Sequence, residues 1–179
     1  MMKMYRCRIC GETFLGSEAP SHCPFCGAHR ELFVDTSEYP EDINAVDLTE
    51  VERNDLMEAI ELELSNTRFY LAMAAYRDDL KLASAYKRLA KIEAEHCSIF
   101  CKLASVGKPA DLMVPSDAPD DWCANIAESK LRETRASAFY GQVVARATNE
   151  RIREVFAAVS AIEADHMLLD DLAAEMANC

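Results

Sequence analysis

The chain has 179 residues, half of them apolar, with a net charge of −12. An acidic surface excludes nucleic-acid binding and adhesion to anionic membranes, which both need a basic face. No apolar run approaches the ~20 residues of a membrane span, and the opening MMKMYRCRIC lacks the apolar core of a secretion signal. The expected location is therefore the cytoplasm, where thiols stay reduced and the eight cysteines need a reason other than disulfides.

Residues 1–36 form a first module. It holds two β-leaning pieces, MKMYRC and ELFVD, and two knuckles, CRICG and CPFCG. The Cys-x-x-Cys spacing lets both sulfurs of a knuckle reach one ion, so Cys7, Cys10, Cys23 and Cys26 are read as four thiolates around a single metal. The glycine after each second cysteine permits the tight turn that aims backbone N–H groups at sulfur. Zinc would make the module structural; iron would make it a one-electron carrier. Residues 37–48, polar and without periodicity, read as a linker.

From Thr49 the pattern turns helical. Thr49 with Glu52 is a capping-box signature, and Val51, Leu56, Ile60, Leu64, Leu71 and Ala75 recur at helical steps. The break Arg77-Asp78-Asp79 leads to a second helix ending near Val106, where Gly107 and Pro109 supply stop signals. The segment KPADLMVPSDAPDD reads as loop. A third helix runs from about Trp122, a helix-start anchor, to Ala147. After Thr148-Asn149-Glu150 a fourth ends near Ala177. Four amphipathic helices of ~40 Å predict a four-helix bundle over 49–179. The short first and third links make antiparallel pairs, and the middle link, able to stretch to ~46 Å, reads as a crossover.

The second half repeats the first. With an offset of seventy residues, Glu63 falls on Glu133, Phe69-Tyr70 on Phe139-Tyr140, Ile92-Glu93-Ala94 on Ile162-Glu163-Ala164, and His96 on His166. Each glutamate lies a similar distance from its hairpin bend, so all four belong at one height. Glu93 and His96 share a helix face, as do Glu163 and His166. Four carboxylates and two imidazoles on a bundle axis demand compensating cations. The set matches the ligand pattern of ferritin-like carboxylate bundles, and iron or manganese suits it, with zinc a redox-silent substitute. Tyr70 and Tyr140, two turns beyond Glu63 and Glu133, read either as hydrogen-bond donors to the carboxylates or as plain core. Cys97, Cys101, Cys123 and Cys179 lack metal-binding spacing and read as small core or surface residues; His22 and His29 read as exposed residues of the module.

These motifs together resemble the rubrerythrins. CRICG and CPFCG look like the family's short rubredoxin domain, and Glu63…Tyr70, Glu93-x-x-His96, Glu133…Tyr140 and Glu163-x-x-His166 look like its ferritin-like diiron domain. With the rubredoxin part first, the order resembles reverse rubrerythrins. The resemblance implies a peroxidase of oxidative-stress protection, reducing hydrogen peroxide to water at a diiron site. Glu93 and Glu163 would bridge the irons, Glu63 and Glu133 would be terminal, and His96 and His166 would bind one iron each. Electrons would come from an external donor, a rubredoxin or an NAD(P)H-dependent reductase, through the cysteine-bound iron. It further implies a homodimer with the rubredoxin centre of one subunit near the diiron site of the other. Ala136 stands where many members carry an extra glutamate, which bears on redox-linked iron movement and on the choice of peroxide over dioxygen. The alternatives are a ferroxidase of ferritin type and a non-enzymatic zinc ribbon on a metal-stabilised bundle.

Overall fold

The computed structural model describes residues 1–179. Its N-terminal part is a three-stranded antiparallel sheet of β1 (Lys3–Cys7), β2 (Thr13–Gly16) and β3 (Phe33–Asp35), in the order β2-β1-β3. Tyr5 pairs with Phe14 on one side and Asp35 on the other. Four long helices follow: α1 (Glu50–Ala75), α2 (Leu80–Ala104), α3 (Trp122–Arg146) and α4 (Glu150–Ala177). None is long and apolar enough to cross a membrane.

Local chemistry sets the helix ends. Thr49 and Glu52 close the expected capping box on α1. The other Glu52 oxygen accepts from Thr148 N, Thr148 Oγ1 and Asn149 N, which pins the α3–α4 bend to the start of α1. Burial pushes the Glu52 carboxyl up, but those backbone N–H groups outweigh it and hold it down at about 2. Asp79, Asp121 and Asn149 cap α2, α3 and α4 by accepting from the first free N–H groups. One expectation moves: α2 ends at Ala104, not near Val106, because Ser105 itself takes the left-handed turn (φ 54) ahead of Gly107.

The middle link is a crossover. The α2 C-terminus lies beside the start of α1, where Arg53 donates to Ala104 O. The α3 N-terminus lies at the far end, where Trp122 meets Tyr76 (ring centroids 5.5 Å apart). The connecting loop runs along α1, held where Ser116 N donates to Arg68 O and Arg68 Nε to Val114 O.

The core falls into two parts above and below mid-bundle. One is built on Leu56, Phe100, Tyr140 and Phe156 and continues into the cysteine module; the other is built on Tyr70, Met73, Tyr86, Leu89 and Trp122. The module lies against its own bundle, across α2 and α4. Arg151, almost fully buried, donates to Arg8 O at 2.7 Å and Ile9 O at 3.3 Å, and Lys102 donates to Cys10 O at 3.0 Å. Arg8 pairs with Glu154 at 2.8 Å. Gly27 is required here: its φ is +82°, and a Cβ would come within 2.8 Å of Ile162 Cγ2.

The cysteines bring a correction. Cys123 and Cys179, read from sequence as unpaired, form a disulfide with Cα atoms 5.5 Å apart. The antiparallel α3–α4 hairpin brings the first turn of α3 next to the chain end, where Asn178 turns left-handed (φ 57) and swings Cys179 back. Sequence separation hid this proximity. Cys97 and Cys101 are free and buried, as small core residues.

Candidate metal centres

The two knuckles bring Cys7, Cys10, Cys23 and Cys26 to one point, all buried. Cys7 Sγ lies 3.8 Å from Cys26 Sγ, and Cys10 Sγ 3.8 Å from Cys23 Sγ. Those are the edges of a tetrahedron with bonds of ~2.3 Å, the metal–thiolate length. Gly11 and Gly27 both have positive φ, and Glu12 N donates to Cys10 Sγ. Through their sulfur–sulfur hydrogen bonds, Cys7 and Cys23 are pushed toward thiolate while Cys10 and Cys26 hold protons. A cation would release both.

At mid-bundle the six predicted side chains converge. They form two groups, Glu63–Glu93–His96–Glu163 and Glu93–Glu133–Glu163–His166, which share Glu93 and Glu163. No member is more than 6% exposed. His96 Nδ1 lies 3.3 Å from Glu163, and His166 Nδ1 lies 2.8 Å from Glu163 and 3.0 Å from Glu93. Six buried atoms here lack a hydrogen-bond partner: Glu63 Oε2, both Glu93 oxygens, His96 Nδ1, Glu133 Oε2 and Glu163 Oε1. Buried polar atoms without partners are costly, and these face one another across the axis. Two divalent ions fit both the charge and the donors.

The protons report the same strain. Burial, reinforced by the charges of Glu93 and Glu163, pushes Glu63 and Glu133 well up. Burial opposes ionisation of Glu93 and Glu163 too, but the two imidazoles win and hold both below the usual carboxylate range. Against their own desolvation, His96 is raised by Glu63 first, then Glu163 and Glu93, and His166 by Glu93 and Glu163. The cluster thus makes its own positive charge by binding protons, a role that metal ions would take over.

Tyr140 Oη donates to Glu63 Oε1 at 2.6 Å, and Tyr70 Oη donates to Glu133 Oε1. Each half of the repeat thereby supports a glutamate of the other. Beyond the tyrosines the symmetry ends. Tyr140 is packed by Phe100 and Phe156. The matching positions beside Tyr70 hold Asp170 and Tyr86, and Ser129 stands where the first half has Ala59. Asp170, fully buried, accepts from Tyr86 Oη at 2.7 Å and from Ser129 Oγ at 2.8 Å, and Ser129 Oγ lies 3.2 Å from Tyr70 Oη. Sequence reading missed this network. Its signal was present, as polar residues on one side of a repeat that is apolar on the other.

A second missed element is a backbone atom. His96 Nε2 donates to Cys26 O at 2.8 Å. That bond fixes the tautomer and leaves Nδ1 free to face the carboxylates. One imidazole therefore joins the two clusters.

With this geometry in hand, the comparisons are specific. Residues 5–34 match the family model described as rubrerythrin, rubredoxin-like domain. The chain is 34% identical over 112 residues to Reverse rubrerythrin-1 of Clostridium acetobutylicum, a match covering 57% of this chain and 62% of that protein. The match thus spans less than two-thirds of the relative's length. No solved structure matches.

Proposed function

We propose, from the premise that the chain belongs to the reverse rubrerythrin family, that it reduces hydrogen peroxide to water with electrons relayed through the cysteine site. The homology supports an iron-binding, rubrerythrin-type oxidative-stress protein, and iron suits both donor sets. Iron held by Cys7, Cys10, Cys23 and Cys26 would supply one electron at a time, and a pair held by the bundle carboxylates and histidines would supply the two needed for H2O2 + 2e− + 2H+ → 2H2O.

The observation that carries this reading is the bond from His96 to Cys26 O, which puts a ring facing the carboxylate cluster in direct hydrogen-bond contact with the cysteine knuckle. Glu93 and Glu163, common to both donor groups, would hold both metals, while Glu63 with His96 and Glu133 with His166 would each hold one. Tyr140 and Tyr70 orient the terminal glutamates. Burial, then the neighbouring carboxylates, pushes both phenols well above their ordinary range, so they hold their protons and act as fixed hydrogen-bond donors. The six donors are buried, which keeps bulk water from the site. Buried Ala136 adds no further carboxylate.

Stopped-flow mixing of anaerobically reduced, iron-loaded protein with peroxide tests the reading. The visible band of the oxidised cysteine-bound iron should return at the rate of peroxide loss. If peroxide persists and the band stays bleached, the peroxidase reading fails. Retention of far more iron than these positions can hold would instead support a ferroxidase.

A further inference from the structure

We propose that His22, His29 and Asp165 form a third metal site, a surface position for a divalent first-row transition ion at the seam between the cysteine module and α4. This goes beyond the peroxidase reading and does not depend on it. None of the three donors belongs to the cysteine site or to the carboxylate site.

The two histidines flank the second knuckle and face each other across an isolated antiparallel bridge, with ring centroids 5.0 Å apart. Both turn Nε2 toward the same atom, Asp165 Oδ2 on α4, at 2.6 Å from His29 and 3.7 Å from His22. One donor atom from each residue lies within 4.8 Å of the others. An ion with bonds of ~2.0–2.2 Å needs its donors ~3 Å apart, a value that the two distances straddle. A small rotation of His22 inward, with the ion replacing the His29 hydrogen bond, completes the set.

Two further observations point to a ligand. His22 Nδ1 is already engaged, with Ser21 Oγ at 3.2 Å, while His29 Nδ1 stands 3.8 Å from Glu31 Oε1, beyond hydrogen-bond distance. A histidine whose second nitrogen is held by a polar partner, with its first left for an ion, is the usual arrangement of metal ligands. Asp165 also has no lysine or arginine partner; its nitrogen neighbours within 4 Å among basic side chains are the two imidazoles. A positive ion would fill that gap. All three residues are partly exposed, so water can complete the coordination shell. Two imidazoles and one carboxylate suit Zn2+, Fe2+ or Co2+.

The placement gives the site its consequence. Its ligands come from the module on one side and α4 on the other, and Asp165 directly precedes His166. A bound ion would clamp the second knuckle to the bundle beside the contact from Cys26 O to His96.

The test is a calorimetric titration of the holoprotein, its other metal positions filled, with Zn2+ at about pH 7.5, with metal analysis checking that no iron is displaced. One additional ion per chain is expected. His22→Ala should weaken it about tenfold or more, and Asp165→Asn likewise. His22 lies outside the 2.6 Å contact, so its replacement leaves that contact in place. An unchanged visible spectrum of the cysteine site shows that each variant is folded. Zn2+ should also raise the melting temperature of the native protein and not that of His22→Ala. If the native holoprotein takes up no further ion, or if both variants bind it as tightly as the native chain, the trio is only an ion pair and the proposal is overturned.

Discussion

Asp170 offers a test in which a buried charge is removed and the chain becomes more stable. Its carboxyl ordinarily titrates at 3.8 and is pushed up to about 6, by burial first, against the hydrogen bonds of Tyr86 and Ser129 and the charges of His166 and Lys130. Each pH unit between those values is worth about 1.36 kcal/mol. The folded chain therefore loses about 3 kcal/mol as pH rises from about 4 through about 6, because the folded state keeps the proton that the unfolded state gives up. Asp170→Asn removes that loss while keeping an acceptor for Tyr86. Its amide also donates to Ser129, which is then free to donate to Tyr70. The variant should match the native chain near pH 4 and exceed it by about 1–3 kcal/mol near pH 7.5. The assay is urea unfolding of both chelated proteins, followed by Trp122 fluorescence and far-UV dichroism. The two probes must coincide for the energies to hold. Asp170→Leu is the control: it strands the hydroxyls of Tyr86 and Ser129 and should cost about 1–3 kcal/mol for each at either pH. An Asn variant no more stable than native near pH 7.5, or equally advantaged near pH 4, would refute the reasoning.

Glu52→Gln runs the other way. The carboxyl is depressed from 4.5 to about 2, so its contribution of about 3 kcal/mol is present above pH 4.5 and fades as pH falls toward 2. The variant should melt about 6–12 °C lower near neutral pH, with a smaller deficit in acid, by calorimetry. At the carboxylate site, Glu93→Gln should weaken both bundle ions, since both groups share that residue, whereas Glu63→Gln should weaken only one. Metal analysis after dialysis against a chelator reads the difference, with changes of about 10–100-fold in affinity expected. Gly27→Ala meets both a left-handed φ and the Ile162 methyl; a stability loss of about 1–2 kcal/mol or more is expected, seen as a lower urea midpoint.

The helices, the crossover and the six convergent side chains were legible because they follow local rules. Helical periodicity from Val51 onward, the cap at Thr49, the break at Arg77-Asp78-Asp79, and a repeat that sets each glutamate at one distance from its bend are all written along the chain. What stayed hidden depends on contacts between distant segments. Nothing near Arg151 announces that its guanidinium reaches the carbonyls of Arg8 and Ile9. Cys123 and Cys179 carry no spacing rule, since only the closed α3–α4 hairpin brings them together. Ser105 carries the left-handed cap ahead of Gly107, a conformation that a non-glycine residue does not announce in the sequence. The Asp170 network was legible in principle. A repeat compared only for its matches conceals the positions where Phe100, Phe156 and Ala59 became Asp170, Tyr86 and Ser129.

The His96 ring and the Cys26 carbonyl belong to one polypeptide. An electron passed along this contact, as the proposed relay requires, would stay within one chain, so diluting the protein would not slow it. Two crippled chains, one lacking Cys26 and one lacking Glu93, could then not rescue each other when mixed.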